Sequence, residues 1–340
     1  MLSTVSRTQP ATRDGHITII THQPGPEDLP WARFLLGGWA GKVVGDPDRR
    51  LVLPNSIVVT QRPDRLKSRM LSKLRRLGSV GLFHVADDRY RARLDSYGAF
   101  AFVWRTYYHT ALDGLTVRQV PLGPRGVDPI VATPSDAARR GPGERLYTWS
   151  FAGSRSTSRD AMLDALAGVD GGHVQVGRVD DPAGIAADHE VLASTVFAPC
   201  AMDGTHLEST RIYDALENGA IPIVERRRWL DYFGLLYGSG HPVPSVRTWA
   251  EAPELMRRLS ADPQALAALQ RRVVDWWSGS KARVALEAQE DVEHLLVGLK
   301  TPSVFGPLDK PAPRWRNRIE NLRQHDADGL RERVHLRRSR

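Results

Sequence analysis

Cysteine is almost missing from this sequence: Cys200 is the only one in 340 residues. A single thiol excludes an intramolecular disulfide and any zinc site built on several cysteines, so nothing demands an oxidising compartment. Its place at the end of a short apolar run suits a small buried hydrophobe better than a nucleophile. No stretch approaches the ~20 apolar residues of a membrane span, and the N-terminal segment lacks the apolar core of a secretory signal. The expected location is cytoplasmic. No G-x-G-x-x-G follows a strand, which argues against a dinucleotide-cofactor enzyme. No metal-ligand cluster stands out either, and Val179-Asp180-Asp181-Pro182 reads as a turn, so no metal and no cofactor is expected. No solenoid-like repeat is present.

What the chain does have is basic charge. Its net +8 is unevenly spread, with ten Lys/Arg against five Asp/Glu in residues 301–340, so the tail supplies +5. The interleaved acids, with Phe305 and Trp315 the tail's only aromatics, favour a solvated or domain-bracing helix over specific nucleic acid binding. An anionic surface is a further partner for the tail and would make the protein peripheral to a membrane. Hydrophobic content of 41% and charged content of 25% are those of a globular chain long enough for two cores.

Strands and helices alternate along the first half. Ile17–Ile20, Ser56–Thr60, Val80–Val85, Phe100–Trp104 and Val117–Leu122 read as strands. Pro26–Lys42 reads as a helix with Trp31, Phe34, Leu35 and Trp39 on one side. Arg62–Leu77 reads as a strongly basic helix with Leu66, Met70, Leu74 and Leu77 as its apolar stripe. This alternation predicts an open parallel α/β sheet, whose site lies at the carboxyl ends of the strands. His22, His84, Asp87, Asp88 and Arg105 all fall at such ends. Residues 1–123 form this domain, and the Pro-, Gly- and Arg-rich segment 124–146 reads as an interdomain linker.

The second domain, residues 147–300, opens with a strand, Tyr147–Phe151, ending at Gly153. Ser154-Arg155-Ser156-Thr157-Ser158-Arg159 then starts a helix running to about Leu166. A Gly/Ser loop with two arginines at a helix N-terminus suits phosphate, and equally suits an ordinary Ser-capped helix. The segment Ser194–Val224 organises the domain: strand Thr195–Ala198, a loop through Asp203-Gly204, a helix, the stop Asn218-Gly219, and strand Ile221–Val224. Thr205 with Glu208 fits a capping box, with Ser209 or Thr210 as other caps. Arg211 in the first turns could grip a diphosphate bidentately, and Asp214 could accept from a ribose or sugar hydroxyl. Further helices are expected over Glu254–Leu259, Pro263–Trp277 and Lys281–Leu299. A last helix after Trp315, within the tail 301–340, could cross back onto the first domain.

The run GTHLESTRIYDALENGAIPIV resembles the donor-site segment of exostosin-type (family 47-like) glycosyltransferases, matching at Gly204, Ser209, Arg211, Asp214, Ala215, Gly219 and Pro222. Phe151-Ala152-Gly153 with Arg159 resembles the family's upstream F-x-G…R element. GLFHVADD followed by FAFVWRTYYH is similar to the N-terminal domain of the ribitol-xylosyltransferase branch, with Asp88 where that branch has Glu and Thr106 where it has Asn. The resemblance implies a GT-B fold: two Rossmann-like α/β domains with parallel sheets facing a central cleft. It implies a metal-independent, inverting transfer from a nucleoside-diphosphate-sugar, UDP-sugar by default, to a hydroxyl of a glycan or other acceptor.

In that frame the donor side comprises Gly153, Arg155, Arg159, Gly204, Glu208, Ser209, Arg211 and Asp214, and the acceptor side His22 and Arg105. The general base is Asp87, Asp88 or His84, and Arg211→Ala is expected to abolish donor turnover while leaving the fold intact. For His84 a satisfied strand histidine is as good a reading, and for Glu208 a capping role is the safer one. Two other classes stay open: a different sugar-nucleotide enzyme such as an epimerase, and a non-catalytic protein that binds carbohydrates or polyanions.

Overall fold

The computed structural model describes residues 16–298 apart from 23–27, 89–91, 93, 109–111, 113–116, 127–129, 178–180, 203–205, 227–231 and 239. Gly204 and the basic tail therefore lie outside the described residues, as does the helix expected after Trp315.

Short β-branched runs make the first sheet. Its strands are β1 (Ile17–His22), β2 (Ala40–Gly45), β3 (Ser56–Thr60), β4 (Val80–His84), β5 (Val103–Arg105) and β6 (Val117–Gln119), in the order β2-β1-β3-β4-β5-β6. All pairings are parallel. Strands β3 and β4 are buried along their whole length, as in a sheet covered on both faces. Helix α1 (Asp28–Leu36) covers one face through Trp31, Ala32 and Leu35. On the other, Met70 and Leu74 of α2 (Ser68–Leu77) pack into a core with Ile20, Val58, Val80 and Leu82.

Two sequence expectations change here. The helix expected over Pro26–Lys42 stops at Leu36, because Gly37 turns to a φ of +56° and the chain re-enters the sheet as β2. The basic helix begins at Ser68, after a single helical turn at Pro63–Arg65.

The second sheet is built from β7 (Tyr147–Gly153), β8 (Gly172–Val176), β9 (Thr195–Cys200), β10 (Ile221–Glu225) and β11 (Ser245–Val246), in the order β11-β10-β9-β7-β8, again all parallel. Its helices are α4 (Thr157–Leu166), α5 (Pro182–Ala193), α6 (Thr210–Glu217), α7 (Tyr232–Tyr237) and α8 (Ala252–Ser260), with the short α3 (Asp136–Arg139) leading in. The stop at Asn218-Gly219 forms as expected. Gly219 has a φ of +68°, and a Cβ there would lie 2.1 Å from the Ala138 carbonyl oxygen.

That contact belongs to a wider change of role. Residues 130–146 are packed onto the second domain rather than strung between the two. Arg145 is buried and donates to the carbonyls of Ala137, Ala138, Arg140, Leu192, Thr195 and Asn218, closing the ends of α3, α5 and α6. Burial pulls its guanidinium down to about 10, yet it stays charged at neutral pH and complements three helix C-termini.

Instead of two helices, Pro263–Leu296 is one 34-residue helix, α9. Gly279 inside it costs about 1 kcal/mol against alanine, but the packing on either side overrides that. Trp277 Nε1 donates to Glu217 at 2.8 Å, and buried Lys281 reaches Glu217 at 2.7 Å and the Val131 carbonyl at 2.7 Å. Further along, Asp291 accepts from Trp104 Nε1 at 2.8 Å and from Arg118 at 2.7 and 3.0 Å, groups of the first domain. Helix α9 thus carries the crossing back to the first domain within the described residues.

Candidate functional site

In a parallel sheet the crevice forms where the strand order reverses. The second sheet reverses between β7 and β9, which lie side by side, so the loops after them and the first turns of α4 and α6 are neighbours. The first sheet reverses between β1 and β3. Loops at the carboxyl ends of the two sheets meet. The Tyr107 and His206 rings stand 4.7 Å apart, the Leu122 amide donates to Glu208 at 3.0 Å, and the Tyr108 amide donates to the Tyr232 hydroxyl at 3.0 Å.

On the second domain's side, Gly153 ends β7 with a φ of +150°, and Ser156 caps α4 by accepting from the Arg159 amide. Arg155 holds only the surface residue Asp160, and 59% of its side chain is exposed. Arg159 Nη1 donates to the Ser154 carbonyl at 3.0 Å and hydroxyl at 2.9 Å. The Arg155 guanidinium can turn to an anion at little cost, since a surface ion pair contributes at most about 1 kcal/mol. At the neighbouring helix, Ser209 is the N-cap of α6, but its hydroxyl, though buried, has no hydrogen-bond partner among the described residues. The first N–H groups of a helix also lack intrahelical acceptors. A buried hydroxyl beside them is suited to answer an anion or another polar ligand.

The structure gives three sequence candidates other work. Arg211 is buried, with Nη1 on Asp188 at 3.0 and 3.2 Å, Nη2 on the Ser150 carbonyl at 2.9 Å, and its guanidinium over the Phe151 ring. Both Nη atoms turn into the interior, while the buried Nε meets no acceptor among the described residues. Asp214 is fully buried and accepts from the Arg125 amide at 2.7 Å and from Arg125 Nε at 2.6 Å, with His189 Nε2 3.4 Å away, which leaves it no route to a sugar hydroxyl. Burial works against its charge, but His189 and Arg125 hold its carboxyl below the ordinary value.

Glu208 lies just before Ser209, the N-cap of α6, and the Thr205 cap expected for it lies outside the described residues. Its buried carboxylate accepts from the Tyr213 and Tyr232 hydroxyls and the Leu122 amide, tying the domains together. Burial raises its carboxyl above the usual range despite those donors. Sequence spacing finds such residues but not the direction in which they point. Cys200 is as inert as expected, its thiol pushed up to about 12 by burial.

On the first domain's side, Arg105 is a buried post. It donates to His84 Nδ1 at 2.8 Å, to the Tyr97 hydroxyl at 2.7 Å and to Asp87 at 2.9 Å. Its role is to brace rather than to meet an acceptor. His84 is fully buried, and burial together with Arg105 pushes its pKa well below 6.5, so it is a neutral part of this brace. Asp87 is pinned by Arg105 and by the Ala92 amide at 3.2 Å.

Ala86 and Asp87 both have positive φ, +63° and +72°, an arrangement that strains non-glycine residues, and half-buried Asp88 follows at once. Tyr107, at the end of β5, adds a φ of +60°. Three of the five positive-φ non-glycine residues found thus lie at strand carboxyl ends facing the cleft. His22 places Nε2 3.1 Å from Asp46, while its buried Nδ1 has no partner among the described residues. The sequence reading missed Asp46 because β2 was read as helix. Among the described residues no three His, Cys, Asp or Glu side chains gather as a metal site would require.

No family model matches the chain, nor does any curated protein. Among solved structures it is similar to a T4 phage BGT variant in complex with UDP-glucose, at 11% identity over 82% of this chain and 99% of that one, with a TM-score of 0.47. It is similar to Anabaena HepE in complex with UDP and glucose, at 10% identity over 84% and 100%, with a TM-score of 0.46. T4 phage BGT with UDP and Mn2+ matches at 10% identity over 82% and 99%, with a TM-score of 0.45. These are likenesses of chain path at low identity.

Proposed function

We propose that this protein is an exostosin-like GT-B glycosyltransferase. It takes a nucleoside-diphosphate-sugar, UDP-sugar by default, at the second domain and passes the sugar to a hydroxyl of a glycan or other acceptor held against the first. One observation carries the reading. The first turns of α4 and α6 lie together at the switch point of the second sheet, with Arg155 and Arg159 on one and the unpartnered Ser209 hydroxyl on the other.

The chemistry follows from that placement. Helix N-termini and the two arginines stabilise the charge that develops on the departing diphosphate, the part of the reaction where fixed donors contribute most. No step in this reading is assigned to a metal. Across the cleft, Asp88 takes the acceptor proton, the acceptor oxygen bonds to the anomeric carbon, and the bond to the diphosphate breaks. Attack from the side opposite the leaving group inverts the anomeric centre. Asp87, Arg105, His84 and Tyr97 are positioning residues that hold the strained turn. The His22–Asp46 pair is the competing base, favoured by an Nδ1 without a partner among the described residues.

The test is a thermal-shift screen of the purified protein against UDP, GDP, ADP and CMP and their sugar adducts, followed by turnover of whichever adduct binds. Asp88→Asn is expected to lower turnover by roughly 10³-fold while donor binding and melting temperature stay unchanged. If no nucleotide stabilises the protein, the transferase reading is wrong. Equal turnover by Asp88→Asn, with a loss in His22→Gln, moves the base to the histidine pair.

A further inference from the structure

Helix α2 and the turn that leads into it carry cations that the fold does not use. Arg65, Lys67, Arg69, Lys73, Arg75 and Arg76 are all exposed, and none has an ion-pair partner among the described residues. No acidic residue occurs between Arg65 and Leu77. The helix is held from behind by buried Leu66, Met70 and Leu74, so the 3.6-residue period throws the charges outward. Arg69, Lys73 and Arg76 follow the i, i+4, i+7 spacing of one line along a helix about 15 Å long.

Helix stability does not account for them. Arg75 and Arg76 complement the carboxyl end, but Lys67 and Arg69 sit against the positive end of the helix dipole, and repulsion along the line is unrelieved.

We infer that this outer face of α2 is a docking surface for an anionic lipid bilayer. The charged face lies on one short helix and the turn before it. Its other exposed residues are Ser68, Ser72 and Leu77, so it offers no aromatic platform for bases and no amide to read them. Each cation on a fluid anionic surface finds its own headgroup without register. Leu77, 38% exposed beside Arg75 and Arg76, adds a small apolar contact at the interface. Because residues 61–67 lead from the carboxyl end of β3 into α2, docking here brings the rim that carries the strained turn towards the membrane plane. The inference does not depend on the donor or on transfer.

The experiment is vesicle flotation of the full chain, at about 0.1 M and about 0.5 M salt. Vesicles of phosphatidylcholine alone are compared with an equimolar mixture with phosphatidylglycerol. Binding is expected to the mixture alone and to fall steeply at the higher salt. Arg69→Gln/Lys73→Gln/Arg76→Gln is expected to weaken it roughly 100-fold, with Arg69→Lys/Arg76→Lys binding as the parent does. Three results would overturn the inference: no binding of the parent to the mixed vesicles, equal binding by the triple variant, or tighter binding of the parent to duplex DNA or heparin than to vesicles. Equal binding by the triple variant with a loss in Arg337→Gln/Arg338→Gln would assign the attraction to the tail.

Discussion

Helices α4 and α6 begin in nearly the same way and end up doing different things. Each follows a strand at the switch point, each opens on a serine N-cap, and each carries an arginine within its first three residues. On α4 the arginine stays at the rim. On α6 it turns inward, because α6 is packed between α5 and α9 whereas α4 lies against α8 at the side. Asp188 of α5 waits there as a buried partner, shared between Arg211 and Arg125 at 2.7 Å. An arginine in a phosphate-like motif therefore becomes a ligand or a strut according to what packs behind its helix. The motif alone does not decide.

The comparison breaks most visibly at Arg211. Arg211→Ala leaves Asp188 with one partner and removes donors from the Ser150 carbonyl inside a low-dielectric site. A loss of roughly 3–5 kcal/mol in denaturant unfolding is expected, with Arg211→Lys failing to restore the forked geometry. A variant that melts like the parent but does not bind nucleotide would return Arg211 to the donor site.

The rim should behave in the opposite way. Arg155→Ala/Arg159→Ala is expected to weaken nucleoside diphosphate binding by roughly 100-fold in calorimetry, with a smaller loss of stability than Arg211→Ala, since neither side chain is buried. If the double variant binds as the parent does, the diphosphate does not sit at α4.

How far the sequence carries can be judged on the same residues. The strand ends were legible, because apolar runs followed by Gly, Asp or Arg mark the carboxyl ends of parallel strands whatever the packing. So Gly153, Arg159, Ser209, Asp87 and Asp88 were placed near the crevice by pattern. The direction of a side chain was not legible. Nothing in STRIYDALE says that Asp214 will meet Arg125, which lies 89 positions earlier. Likewise β2 was hidden by the apolar spacing of Trp31, Phe34, Leu35 and Trp39, although Gly37-Gly38 marked the break. The unity of α9 was hidden by Ser278-Gly279, since the contacts that hold the helix across that pair, Trp277 and Lys281 to Glu217 and Lys281 to the Val131 carbonyl, are tertiary.

Ser209 allows a finer cut between ligand and strut. A buried hydroxyl without a partner contributes nothing to the empty protein, so Ser209→Ala should leave the melting temperature unchanged or slightly raised. If the hydroxyl answers a bound diphosphate, the same change should cost about tenfold in donor affinity. A fall in stability without any change in affinity would make Ser209 an ordinary cap.

The smallest effect concerns pH, and it sets the first domain apart from the second. Burial lowers the pKa of His84 well below 6.5, with Arg105 adding to the shift, and burial lowers that of His22 although Asp46 opposes it. Below pH 6.5 the unfolded chain therefore binds protons that the folded chain refuses, so stability is complete above that pH and falls as the pH drops towards the folded values. Each histidine adds a slope of up to about 1.4 kcal/mol per pH unit in that window. Glu208 has the opposite sign, since its raised carboxyl favours the folded state less as pH rises above 4.5. It cannot produce an acid-side loss near neutrality. Urea melts of His22→Gln/His84→Gln between pH 5 and 7 are the check. A double variant with the parent's slope would show that the loss arises elsewhere, whereas a flattened slope would locate acid lability in the first domain.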